Sequence, residues 1–355
     1  MKIFFLTGSF YPKIGGVEKS VFSTACELSK NGYQVSIITL NHDNLPEQEQ
    51  FDEGFEVYRI PHSKIPYTGM LSRWKWFLFH LKLIRNADII HFHDYDVFIN
   101  WFFPYRFIFL KKKYYITFHG YEGYPVKYKH FLLRKISELF THGNICVGEF
   151  IKRWYRTKPD EIIYGATDTE NTIKKTSKGN YILSLGRLEK DTDILNYLKA
   201  LKLFYTKTKS KIPLHVLGDG SLNKEVKSFL ETNNIPHKLL GVQQESKTYI
   251  KNSILVLTSS YLSIIESLAQ NKLVIAFYSN NLKREYLKSF PQSNTVMCIS
   301  EDINEVANII EKAIKTPLFY KDKINSGLTL SKKLTWAKVA DKYIALYNKQ
   351  KTNES

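Results

Sequence analysis

Three short stretches place residues that can bind or move charge just after apolar runs. In SLGRLEKD (184–191), Arg187 follows Gly186, with Lys190 three residues on. A fixed cation there can stabilise the charge that a departing diphosphate gains. It can equally form an exposed pair with Glu189 or Asp191, of little energetic value. In SSYLSIIESLAQNKLVIA (259–276), the carboxylate of Glu266 follows an almost uncharged run. Ser263 and Glu266 make S-x-x-E, a capping box. A carboxylate near a strand end can also accept both hydroxyls of a ribose, and both readings stand. In TFHGYEGYP (117–125), His119 precedes Gly120. It can donate to a sugar hydroxyl or phosphate oxygen, or serve as a satisfied structural histidine.

Glycines and acids mark further loops. Gly15 and Gly16 stand where the first loop enters a helix, as a plain turn or as an anion-binding end. Gly218 and Gly220 in HVLGDGSL, and Gly241 in LLGVQ, suit close backbone approach to a flat ligand such as a base, or simply loops. The D-x-D triplets in HFHDYD (91–96) and KDTDI (190–194) have the form that holds a divalent ion against a diphosphate. Neither has a supporting ligand cluster in the sequence, so no metal is expected.

These residues need elements to position them. Apolar runs at 2–8, 33–40, 55–61, 87–93, 114–120 and 143–148 alternate with helical-period stretches such as 17–32. A polar stretch without periodicity, 169–180, reads as a linker. The pattern then restarts at 181–186, 213–220, 237–241, 254–258, 273–278 and 295–300. The alternation predicts α/β architecture, two doubly wound parallel sheets joined near residue 170. Ligands in such sheets collect at the C-terminal strand ends, where Arg187, His119 and Glu266 fall.

The chain has 355 residues, enough for two domains, and 43% are hydrophobic. No apolar run reaches the roughly 18 residues that span a bilayer. The N-terminus reads as a buried strand rather than a signal peptide. Cys26, Cys146 and Cys298 are too scattered for a disulfide framework or zinc motif. The expected setting is the cytoplasm. The net charge of +17 is uneven: residues 59–158 hold 18 Lys and Arg against 6 Asp and Glu. That stretch also contains RWKWFLFHLK (73–82) and FIFLKKKYY (107–115), mixing aromatics with cations. It suits an anionic membrane surface, a phosphorylated acceptor or nucleic acid, or is a solvated basic face. The expectation drawn from it is peripheral docking on the inner face of a membrane. There Trp74, Trp76, Phe102 and Phe103 would insert in part, and Lys111, Lys112 and Lys113 would meet headgroups.

Taken together, IGGVEKS, TFHG, LSLGRLEK, HVLGDGSL and SIIESLAQNKLVIA occur in the order and approximate spacing of glycosyltransferase family 4, which the chain resembles over nearly its whole length. The resemblance implies a GT-B fold, two Rossmann-like domains facing each other across a cleft. It divides the chain into an acceptor domain (1–170), a donor domain (171–334) and a final helix (335–355) packing back across both. It further implies transfer from a nucleotide sugar (UDP-, GDP- or ADP-linked), with retention and without a metal or other cofactor. By matching positions, Glu266 would bind the donor ribose and Arg187 its diphosphate. Gly218 and Gly241 would lie along the donor, while His119 and the Gly15–Gly16 loop would face the reacting sugar. Two departures stand out. Thr258 occupies the place of the first acid of Glu-x7-Glu, which backbone contacts from Leu262, Ser263 and Ile264 would replace. Lys190 also lies closer to Arg187 than the family's lysine does, with Asp193 near the place of a glycine.

Three function classes follow: hexosyl transfer to a lipid-linked glycan or polysaccharide, nucleotide-sugar binding without catalysis, and nucleic-acid binding. Charge alone favours the last, and no nucleic-acid-binding module is recognisable. The expectation is therefore an enzyme without a nucleic-acid partner.

Overall fold

The computed structural model describes residues 1–61, 68–120, 122–168 and 179–349. The polar linker expected over 169–180 falls almost wholly outside them. The chain divides into two compact units, one of Met1–Ile163 with Trp336–Ser355, the other of Tyr164–Thr335.

Unit 1 is an eight-stranded sheet. Its strands are β1 (Lys2–Leu6), β2 (Gln34–Asn41), β3 (Gln48–Gln50), β4 (Glu56–Pro61), β5 (Ile89–His93), β6 (Lys113–Phe118), β7 (Gly143–Val147) and β8 (Glu161–Ile163). Their order is β3-β4-β2-β1-β5-β6-β7-β8, and all pairings are parallel except β3 with β4. Every residue of β5 is buried, as are Ile3–Leu6 of β1, because helices cover both faces. The Trp336–Lys349 helix packs against the Gly16–Lys30 helix and against β7 and β8.

That last helix completes a buried polar network. Thr117 Oγ1 lies 2.7 Å from His91 Nε2 and 2.9 Å from the Tyr343 hydroxyl, and the Tyr347 hydroxyl lies 2.8 Å from His91 Nδ1. His93 Nδ1 meets His119 Nε2 at 2.9 Å. Buried polar groups need such partners, since leaving one unmade costs about 1–3 kcal/mol. Arg134 is fully buried too, pairing with Glu122 and lying over the Tyr155 ring at 4.2 Å.

Part of the basic stretch is therefore structural. Arg134 is spent on Glu122, and Arg59 is buried against Glu49 at 2.5 Å. Lys112 donates to the Arg85 carbonyl at 2.7 Å and also to that of Ala87. Two of the aromatics expected to meet lipid are core instead: Trp76 and Phe102 are buried, with Phe77 and Phe102 rings 5.3 Å apart. Trp74 and Phe103 are half-buried.

Unit 2 has six parallel strands, β9 (Tyr181–Leu185), β10 (Leu214–Leu217), β11 (His237–Gly241), β12 (Ser253–Leu257), β13 (Leu273–Phe277) and β14 (Cys298–Ser300). Their order is β11-β10-β9-β12-β13-β14. The chain runs outward from β9 to β11, then returns to β9's other side as β12. The loops leaving β9 and β12 therefore diverge, which opens a crevice at their C-terminal ends.

The histidine network makes unit 1 acid-sensitive. Burial brings His119 down to about 4 and holds His91 and His93 well below the ordinary value. The unfolded chain takes up these protons near pH 6.5, the folded chain only at lower pH, near 4 for His119. Stability from the neutral imidazoles is thus complete above the unfolded value and lost as pH falls. Burial raises Asp94 to about 7, and this acts in the opposite sense. One carboxyl opposes three imidazoles, in a chain whose +17 charge grows with acid. The thermal unfolding midpoint should fall between neutrality and about pH 4. A flat or rising midpoint over that range would contradict this.

Candidate functional site

The crevice in unit 2 is lined by Gly186, Arg187, Thr192, Tyr197, Thr258 and Ser260, among others. Gly186, at φ +140°, turns the chain out of β9 in a conformation that favours glycine. Arg187 then projects into solvent, its guanidinium 2.7 Å from Asp191 Oδ2. Of the two acids open to it, Asp191 is the one it takes. Glu189 accepts instead from the Ser221 amide (2.8 Å) and hydroxyl (2.5 Å). Lys190 opens a short 3-10 turn and is exposed. The Thr192 hydroxyl closes this loop on the carbonyls of Arg187 and Glu189.

A third cation here had no signal in the sequence. Lys283, from the Asn281–Lys288 helix after β13, is buried, its ammonium 4.5 Å from the Tyr286 ring centroid. Burial lowers it to about 8, while Asp191 and Asp193 work to keep it charged and Arg187 works against them. Only the fold brings residue 283 to the loop after β9.

Glu266 is not a capping residue. Its helix spans Tyr261–Ala269, with Ser260 as N-cap, so Ser263 and Glu266 both lie inside it. The Ser259–Ser260 pair was the available start signal. Glu266 is 7% exposed and accepts from the Ser246 hydroxyl at 3.2 Å. The Ile264 amide, expected to meet a ligand, already donates to the Ser260 carbonyl at 2.9 Å. The Tyr261 amide donates to the Tyr286 hydroxyl at 2.8 Å. The amides of Leu262 and Ser263 are the ones left without an intrahelical acceptor.

The glycines serve different ends. A Cβ on Gly218 would stand 1.9 Å from the Gly186 carbonyl oxygen, so its missing side chain admits the neighbouring strand's backbone. Gly241, at φ +65°, has open space where a Cβ would point. In unit 1, Gly15 is the N-cap of the Gly16–Lys30 helix, and a Cβ there would meet the Glu18 carboxylate at 2.3 Å. Glu18 thus sits at the helix's positive end, where any anion competes with it. Gly16 has open space around its missing Cβ.

His119 leaves β6 with its amide donating to Asp94 Oδ1 at 2.7 Å. Asp94 is strained, at φ 74° and ψ 154°, and is held by its own amide on the Thr117 carbonyl at 2.8 Å. The sequence offered Asp94 only as half of a D-x-D. Its partner acid, Asp96, is exposed. Glu18 also acts electrostatically on His119, raising its proton affinity against burial. The neutral imidazole, bonded to His93 through Nε2, retains Nδ1 to donate or accept. Among the described residues no group of three or more His, Cys, Asp or Glu is placed to hold a metal. Among them, too, no helix is long and apolar enough to cross a membrane.

Comparison with known proteins puts this geometry in a family. Residues 14–171 match the profile of "Glycosyltransferase Family 4", and residues 167–328 that of "Glycosyl transferases group 1". Over 97 residues the chain is 31% identical to the N-acetylgalactosamine-N,N'-diacetylbacillosaminyl-diphospho-undecaprenol 4-alpha-N-acetylgalactosaminyltransferase of Campylobacter jejuni, an alignment spanning 26% of each protein. Its structure matches sucrose-phosphate synthase from Thermosynechococcus elongatus over 100% of both chains, at TM-score 0.79 and 15% identity. It also matches HepE from Anabaena, solved with UDP and glucose, at TM-score 0.76 and 13% identity, over 99% of this chain and 100% of that one. With two tandem profiles spanning residues 14–328 and two parallel-sheet α/β domains of GT-B type, the chain belongs to glycosyltransferase family 4.

Proposed function

We propose that the protein moves a hexose from a nucleotide sugar to a lipid-linked glycan or polysaccharide, with retention of anomeric configuration and without a metal. The observation that carries the reading is the crevice between β9 and β12. There the Arg187 cation, in an exposed pair with Asp191, lines the same wall as Ser260, the N-cap of the Tyr261–Ala269 helix. A guanidinium beside a helix start suits a nucleoside diphosphate. Arg187 would meet the charge left on the departing diphosphate, with Lys190 and Lys283 as nearby cations. The Leu262 and Ser263 amides would meet donor oxygens, and Glu266 the ribose. Gly241, and Gly218 behind it, would border the base. His119 and the Gly15–Gly16 turn are assigned to the reacting sugar.

HepE was solved with UDP and glucose, and the Campylobacter enzyme's name specifies a diphospho-undecaprenol acceptor. The first favours a nucleotide-sugar donor here and the second a lipid-linked acceptor, and we place the reaction on the cytoplasmic side of a membrane. The donor nucleoside is uridine, guanosine or adenosine. A second reading, donor binding without transfer, is favoured by Thr258 at the place of the family's first acid.

Thermal shift with UDP-, GDP- and ADP-sugars should raise the midpoint for one nucleotide class. Hydrolysis of that donor separates transfer from mere binding. Glu266→Gln should weaken donor affinity by about 1.5–3 kcal/mol, the range for hydrogen bonds to a charged group, in a protein that still folds. Unchanged affinity would remove Glu266 from the ribose. Arg187→Ala should cut turnover by roughly 100-fold or more with little change in stability, because the pair it loses is exposed. Arg187→Lys should recover only part of that, lacking the bidentate fork. Near-normal turnover of the alanine variant would exclude the leaving-group role.

A further inference from the structure

We infer that unit 1 carries a docking surface for an anionic lipid bilayer, built from the outward face of the Thr68–Phe79 helix and the adjoining turn at 107–111. A helix on a protein surface normally turns a polar face to water. This one is apolar on both sides. Trp76 and Phe77 point into the core, while Leu71, Leu78 and Phe79 are 61%, 56% and 72% exposed. Leu71 and Leu78 are seven residues apart and so share a face, with Lys75 exposed between them. The next segment lies alongside: the Tyr105 hydroxyl donates to the Trp74 carbonyl, and the Tyr105 and Phe77 rings are 5.6 Å apart. That segment exposes Phe107, Ile108 and Leu110 at 51%, 60% and 66%.

Charge selects the occupant. No Asp or Glu occurs between Glu56 and Asp88, or between Asp96 and Glu122. Lys75, Lys82, Arg85 and Lys111 are exposed beside the apolar side chains. A second copy of a chain carrying +17 would bring these cations against one another. Anionic headgroups over an apolar interior complement both features, the lysines reaching headgroups and the leucines and phenylalanines entering shallowly. The inserting residues therefore differ from the buried tryptophan and phenylalanine picked out by composition. This surface does not depend on the donor chemistry proposed above, and its test reads binding alone.

The full chain is sedimented with vesicles of phosphatidylcholine alone or mixed with phosphatidylglycerol. Binding is expected to the mixed vesicles at low salt, with release as added salt shortens the screening length. Lys75→Gln with Lys82→Gln and Lys111→Gln should weaken binding by about 100-fold, at about 1 kcal/mol for each surface cation removed. Leu78→Ser with Phe79→Ser and Leu110→Ser should likewise weaken binding to the mixed vesicles at low salt, with every surface cation still in place. All six side chains are exposed, so an unchanged circular dichroism midpoint should accompany both losses. Three outcomes would overturn the proposal: wild-type protein that ignores anionic vesicles at low salt, folded variants that bind them fully, or a wild-type dimer that the apolar variant splits.

Discussion

One phenolic hydroxyl fixes the geometry on which unit 2's crevice depends. Tyr197, fully buried on the Ile194–Thr208 helix, accepts the Phe277 amide at 2.7 Å just where β13 ends. It also reaches the Ile275 carbonyl (3.3 Å) and the Ser259 hydroxyl (3.4 Å). Ser259 in turn donates to the Thr192 carbonyl at 3.0 Å. The ends of β12 and β13 and the loop after β9 are thereby tied to one point. Diverging loops at a switch point have no ladder of their own to hold them, so side chains must. The spacing between Arg187 and the Tyr261 helix start is set by this tie rather than by either residue.

Unit 1 solves a similar problem at higher electrostatic cost. Arg134 is desolvated, and a buried guanidinium without a partner would be strongly destabilising. Glu122, the Gly120 carbonyl (3.4 Å) and the rings of Tyr155 and Phe118 surround it. Two of these partners, Gly120 and Glu122, belong to the loop just after His119. The ion pair therefore anchors that loop from behind while Asp94 holds the His119 amide from in front.

What could be read from the sequence follows from what burial does to pattern. Strands covered on both faces become apolar runs, and all twelve expected runs became strands. β3 and β8, three residues each, escaped because QEQ lies exposed at an edge and EII is too short to show a period. Arg187 and His119 could be placed just after β9 and β6 because strand ends are legible, whereas Glu266 lies inside the helix that follows β12. The start of the Tyr261 helix was misplaced because S-x-x-E recurs by chance inside it, one turn beyond the serine that acts as N-cap. Lys283 and the strain at Asp94 depend on contacts distant in sequence and had no local sign. Nor could the orientation of the Thr68–Phe79 helix be read, since apolar residues on both sides leave its pattern without a direction.

The Trp336–Lys349 helix also bears on the order in which the protein is made. The hydroxyls that satisfy Thr117 and His91 come from Tyr343 and Tyr347, 226 and 256 residues further along the chain. On the ribosome, the sheet of unit 1 emerges before unit 2, yet Thr117 and the buried His91 wait for partners translated after the whole of unit 2. Unit 2 is contiguous and can close as soon as it emerges. Unit 1 therefore begins before unit 2 and is finished after it, its buried polar network closing only when those two tyrosines arrive.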